Sequence, residues 1–84
     1  MLKVYAAIWC PHCVRTIEYL DRMKIKYEYF EIEDQPDEIV EAVIAANGGE
    51  SWVVPTLEFR GRWRPGKIFN EASLEADLKS MGVI

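Results

Sequence analysis

Two cysteines, Cys10 and Cys13, stand two residues apart at the seam between an alternating apolar stretch and a helical one. That seam constrains the fold more than any other feature of the chain. Before it, Leu2, Val4, Ala6 and Ile8 point one way and Lys3, Tyr5 and Ala7 the other, the period-two pattern of a strand with unequal faces. After it, Pro11 is placed to open a helix. Val14, Ile17, Leu20 and Met23 then recur at three- and four-residue spacing, on the side such a helix would bury. The basic segment Arg22 to Lys26 suits the negative end of that helix.

The same alternation of periods continues. Tyr27 to Glu33 reads as a second strand with Phe30 and Ile32 toward the core. Asp34-Gln35-Pro36-Asp37 reads as a helix start, with a polar cap and acids at the positive dipole end. Ile39, Val40, Val43 and Ile44 form the stripe of this second helix, and Asn47-Gly48-Gly49 stops it. Val53-Val54-Pro55 leads into a strand from Thr56 to Arg60, with Leu57 and Phe59 inward. Gly61 marks a reversal, and Trp63 to Ile68 supplies a short returning strand, irregular at Pro65-Gly66 and so placed at an edge. Asn70 caps a last helix, with Phe69 and Leu74 as a staple across the cap and Leu78 and Met81 continuing its buried side. Strands joined through a helix by a right-handed crossover lie parallel. The predicted fold is therefore a mixed four-stranded α/β sheet in βαβαββα order, with helices on both faces, as a single domain over residues 1–84.

With 84 residues, half of them hydrophobic, the chain is near the lower size at which one core holds unaided. No apolar stretch is long enough to span a bilayer. Met1-Leu2-Lys3 runs straight into the first strand without a signal-peptide core, so the cytoplasm is the expected location. The net charge is −4. Arg60, Arg62, Arg64 and Lys67 form the one basic cluster and read as a solvated hairpin tip. A nucleic-acid surface needs a broader positive footprint. A monomer is expected.

The cysteine pair carries the chemistry. A bond between Cys10 and Cys13 would close a very short loop and constrain the unfolded chain little, so it is a poor staple. Redox or metal chemistry is the better reading. The first cysteine falls where unpaired helix N–H groups and the helix dipole favour negative charge. A thiolate is the form that attacks a disulfide. Cys10 is therefore the expected nucleophile, and Cys13, one turn deeper, the thiol that resolves the mixed disulfide. A protonated His12 between them would stabilise a thiolate further. Arg15, one turn on, reads as a solvated position.

The run Trp9-Cys10-Pro11-His12-Cys13, the segment Val54-Pro55-Thr56 and the short βαβαββα order together resemble the glutaredoxin branch of the thioredoxin superfamily. The resemblance covers nearly the whole chain. Asn47-Gly48-Gly49 and Asn70 at the last helix start look especially like mycoredoxin-type bacterial glutaredoxins. This resemblance implies a thioredoxin-like fold and thiol–disulfide oxidoreductase activity on protein or small-molecule mixed disulfides. It also implies a cis Pro55 at the active site, with Trp9, Val54, Pro55, Asn70 and Glu71 facing the substrate. Glutathione or a similar thiol is the implied co-substrate, and no permanently bound cofactor or metal is expected.

Three departures from the family pattern bear on the thiol partner. His12 stands where typical glutaredoxins have tyrosine. Ala6 to Trp9 lack the lysine that many place before the first cysteine. Ile68 to Ser73 replaces a glycine-rich element before the last helix, and Glu71 there opposes a carboxylate. A glutaredoxin-like electron donor recycled by thioredoxin reductase, as for ribonucleotide reductase, is the alternative. An iron–sulfur or metal-binding module is the alternative of another class, although two thiols and one histidine fall short of the four ligands a cluster or zinc needs. Cys-Pro-His-Cys also occurs in periplasmic disulfide oxidases, which this chain resembles at the motif only.

Overall fold

A computed structural model describes residues 1–84. The strands are β1 (Leu2–Ala6), β2 (Tyr27–Glu31), β3 (Thr56–Phe59) and β4 (Arg62–Arg64). They lie in the order β2-β1-β3-β4, with β1 parallel to β2 and antiparallel to β3. The helices are α1 (Pro11–Arg22), α2 (Asp37–Ala46) and α3 (Glu71–Met81), with a 3₁₀ turn over Ile32–Asp34. The fold is the expected thioredoxin-like mixed sheet with three helices.

β1 is central, and burial on both of its faces is why its alternation is incomplete. Leu2, Val4 and Ala6 are buried on one face with Leu57, which lies opposite Val4. Tyr5 is buried on the other, stacked between Phe30 at 5.3 Å and Trp63 at 5.8 Å. α1 and α3 share the Val4 face, tied to it by Tyr27 Oη donating to Asp21 at 2.8 Å and Arg64 Nε to Asp77 at 2.7 Å. α2 is joined to the opposite face through Asn47, whose side-chain amide donates to Thr56 Oγ1 at 2.9 Å.

Several expectations are corrected by this arrangement. β1 ends at Ala6, so Ile8 leaves the sheet and is 80% exposed. α1 buries Cys13, Thr16, Tyr19 and Leu20, while Val14 and Met23 are about half exposed. Val14 overhangs the edge strand β2, where nothing lies outside it, and Met23 caps the helix beyond its last turn. β2 stops at Glu31, and Ile32 is buried through the 3₁₀ turn. Pro36, in extended conformation, precedes α2 without any side-chain cap. β4 is three residues long and ends at Arg64.

The basic cluster is not merely a solvated tip. Arg64 is 4% exposed and shares Asp77 with Lys67, whose Nζ is 3.0 Å away. Asp77 is pushed up by burial, but the bonds from Arg64 and Lys67 outweigh that and hold its carboxyl below the ordinary range. No helix is long and apolar enough to cross a membrane.

Candidate active site

Three connecting segments converge at the carboxyl end of β1. Cys10 is the N-cap of α1, and its Sγ accepts the Cys13 N–H at 3.3 Å. Pro11 fills the first helical position, where a missing N–H costs no intrahelical bond. Both cysteines are free thiols and both are buried, Cys10 6% and Cys13 2% exposed. Burial pushes the Cys13 thiol up to about 12; a backbone bond to Ala7 works against this, and Cys10 and Glu31 add to it. The two thiols therefore stand in unlike surroundings one helical turn apart.

The second segment is the loop before β3. The Val54–Pro55 peptide bond is cis, and the Cys10 thiol lies 3.9 Å from the Val54 carbonyl oxygen. Thr56 Oγ1 donates to Val53 O at 2.6 Å, folding the loop back on itself. Trp52 packs partly buried against the core.

The third segment connects β4 to α3. The Phe69 N–H donates to His12 Nδ1 at 3.0 Å. His12 thus ties the start of α1 to the approach to α3.

The expected site residues divide accordingly. Cys10, Pro11, His12, Cys13, Val54 and Pro55 come together. Trp9 is 60% exposed beside them, its indole N–H donating to Glu33 at 2.7 Å. The Asn70 side chain caps α3 by accepting from the Ser73 N–H at 2.9 Å, as the sequence suggests, and is occupied there. Glu71 pairs with Arg22 at 2.6 Å, at the far end of α1, because that cation is the partner within its reach. Asn70 and Glu71 therefore lend their side chains to α3 and α1 and not to the thiols.

Four residues that sequence reasoning passed over hold the site in place. Glu31 accepts from the Ile8 N–H at 3.0 Å and from Tyr29 Oη at 2.9 Å, fixing the loop before Cys10 together with Glu33. Asn47, expected as a helix stop and as part of the family resemblance but not at the site, bonds Val43 O, Thr56 Oγ1 and, through its Oδ1, the Gly66 N–H at 2.8 Å. Gly66 lies so close to Val53 that a Cβ there would sit 2.8 Å from the Val53 carbonyl carbon. The signals were faint: acids ending an apolar strand, an asparagine before two glycines, a glycine after a proline. No group of three or more His, Cys, Asp or Glu side chains is placed to hold a metal ion.

With this geometry in view, the comparisons with known proteins are specific. No curated protein sequence matches the chain. Among solved structures, a glutaredoxin of Archaeoglobus fulgidus matches at 29% identity and a TM-score of 0.70, covering 89% of this chain and 82% of that one. A buckwheat glutaredoxin in complex with glutathione matches at 23% identity and a TM-score of 0.70, covering 95% and 74%. A structural-genomics target from X. campestris matches at 23% and 0.64, covering 95% and 97%. The likenesses at 23% speak for the fold alone. The glutaredoxin family model matches residues 2–63, which takes in both cysteines, the proline loop and the first three strands, and on that match the chain belongs to the glutaredoxin family.

Proposed function

We propose that this protein reduces protein and low-molecular-weight disulfides by thiol–disulfide exchange, with Cys10 as nucleophile and Cys13 as resolving thiol. The family supports thiol–disulfide oxidoreductase activity in general. The observation that carries the specific assignment is the asymmetry of the pair. Cys10 sits at the helix N-terminus accepting an N–H bond, while Cys13 is buried and its proton tightly held.

The Cys10 thiolate attacks one sulfur of the substrate disulfide. That S–S bond breaks, a new bond joins Cys10 to the attacked half, and the other half leaves as a thiolate. Cys13 then gives up its proton and attacks Cys10 Sγ. The attached half departs as a thiol and a Cys10–Cys13 disulfide remains. Two electrons have passed from the dithiol to the substrate, the ordinary course of such exchange. Two molecules of glutathione, or of a similar thiol, restore the dithiol and leave as their own disulfide. Membership of the glutaredoxin family supports that co-substrate. The cytoplasm, where thiols are kept reduced, is the compartment this chemistry fits.

The test is turnover of a glutathione mixed disulfide with glutathione and its reductase, for wild type, Cys10→Ser and Cys13→Ser. Activity lost in Cys10→Ser and partly kept in Cys13→Ser is expected. A wild type that is inert here but is reduced by thioredoxin reductase would replace glutathione by a flavin enzyme as the electron source.

A further inference from the structure

The apolar stripe of α1 is not fully used by the core. Val14 and Ile17, with Ile8 from the preceding loop and Tyr27 and Tyr29 from β2, line an open groove of about 310 Å³ whose floor includes Cys13. That volume is at the lower end of side-chain and ligand sites, and the lining is of the usual apolar kind. Ile8, Val14 and Tyr29 are 80%, 46% and 42% exposed, so no element of this chain covers them. The groove lies on the outer side of α1, at the free edge of the sheet.

Two features of the groove restrict what can lie in it. Cys13 forms part of the groove floor, so any polypeptide delivering a disulfide to Cys10 has its neighbouring residues within reach of the groove. Its lining holds one charged side chain, the exposed Glu18, and the carboxylate of Glu31, on the same face of β2, accepts from the hydroxyl of the lining Tyr29. Lys24 and Lys26 stand only at the opposite end, past the last turn of α1. Two copies meeting here would bring Glu18 and Glu31 of each to one seam, a like-charge arrangement that is destabilising. The rim complements a basic segment.

We propose that this groove is a subsite for an apolar side chain neighbouring the cysteine of a protein disulfide, on a segment that also carries lysine or arginine. The proposal rests on the reading of Cys10 and Cys13 as the exchange pair. It makes protein disulfides of that composition the preferred substrates of the site.

The experiment is a single-turnover reaction of the reduced protein with short peptides whose cysteine is disulfide-linked to thionitrobenzoate. Cys10 attacks the peptide sulfur, thionitrobenzoate leaves as the coloured thiolate, and Cys13 releases the peptide thiol. Peptides with Leu and Lys, Ser and Lys, or Leu and Glu beside the cysteine are compared, with 2-hydroxyethyl disulfide as a substrate too small to reach the groove. Wild type is expected to prefer the Leu and Lys peptide over the Ser and Lys one by about tenfold, the low end of what an apolar pocket discriminates. Val14→Ser should bring that ratio close to one. Glu18→Lys should shift preference toward the Leu and Glu peptide. Both variants should reduce 2-hydroxyethyl disulfide like wild type.

Equal wild-type rates on all peptides, or a preference that survives Val14→Ser, overturns the subsite and leaves the exchange reading standing. A wild-type dimer in sedimentation that Val14→Ser dissociates overturns it in favour of a second copy. Failure of wild type to reduce 2-hydroxyethyl disulfide or any peptide brings down both readings together.

Discussion

Resolution by Cys13 is predicted to be the pH-limited half of the reaction. The Cys13 thiol is raised from an ordinary 9.0 to about 12, first by burial and then by Cys10 and Glu31. In the mixed disulfide the Cys10 thiol is gone, so the rise is under three pH units and lowers the Cys13 thiolate fraction at neutrality by less than about a thousandfold. A more basic thiolate is also a better nucleophile, with a Brønsted slope of about 0.4–0.5, which returns a factor of at most roughly sixteen to thirty. The net deficit is therefore below roughly sixtyfold against an ordinary thiol. In Cys10→Ser the contributions of the Cys10 thiol vanish, while burial and Glu31 remain. The midpoint of Cys13 should then lie below about 12 and above 9.0. Alkylation of that variant by iodoacetamide across pH, followed by mass spectrometry, reads the midpoint independently of how easily the reagent enters. Adding Glu31→Gln should lower it. A midpoint at or below 9.0 refutes the reasoning.

The same thiol affects stability. Its folded value lies above its unfolded one, so its contribution is complete below pH 9.0 and lost as pH rises toward about 12. Reduced wild type should lose more stability across that window than Cys13→Ser in denaturant titrations, and parallel curves would contradict this. Arg64→Ala removes a buried guanidinium from Asp77 and should cost about 2 kcal/mol by urea unfolding. Because the Asp77 carboxyl is held below its ordinary 3.8, that difference should be full above pH 3.8 and shrink as acid protonates it in the fold. Gly66→Ala presses on the Val53 carbonyl carbon; kcat/KM on a glutathione mixed disulfide should fall roughly tenfold or more, as loop displacement near reacting atoms does. An unchanged rate would show that the loop yields freely. Asn70→Ala loses the α3 cap and should cost about 1 kcal/mol, measured by thermal unfolding.

The order of elements and the position of the thiols were legible because both follow from local rules. A change from period two to period 3.6 at Cys10 places a helix N-terminus there whatever surrounds it. Sidedness was harder. Val14 and Leu20 are equally apolar, yet only Leu20 is buried, because burial depends on β2 being an edge strand, which periodicity does not encode. The function of Arg64 was hidden for the same reason: a cation beside a turn reads as solvated until α3 brings Asp77 to it. His12 shows the limit most plainly. Its partner is a backbone N–H 57 residues away, a contact that depends on chain closure and not on residue type.

Asn47 has a consequence for how this scaffold tolerates change in length. Its one side chain grips the end of α2, the start of β3 and the Gly66 N–H, so the two loops facing Cys10 hang from a common peg. An inserted residue between Val53 and Thr56, or between Arg64 and Gly66, must strain that peg or break it. The β3–β4 hairpin at Arg60 and Gly61 lies outside the grip, and its tip is exposed. Extra residues there add only loop entropy, which grows slowly with length. That tip is accordingly the place where a label, a tether or a second domain can be grafted while the thiols stay where they are.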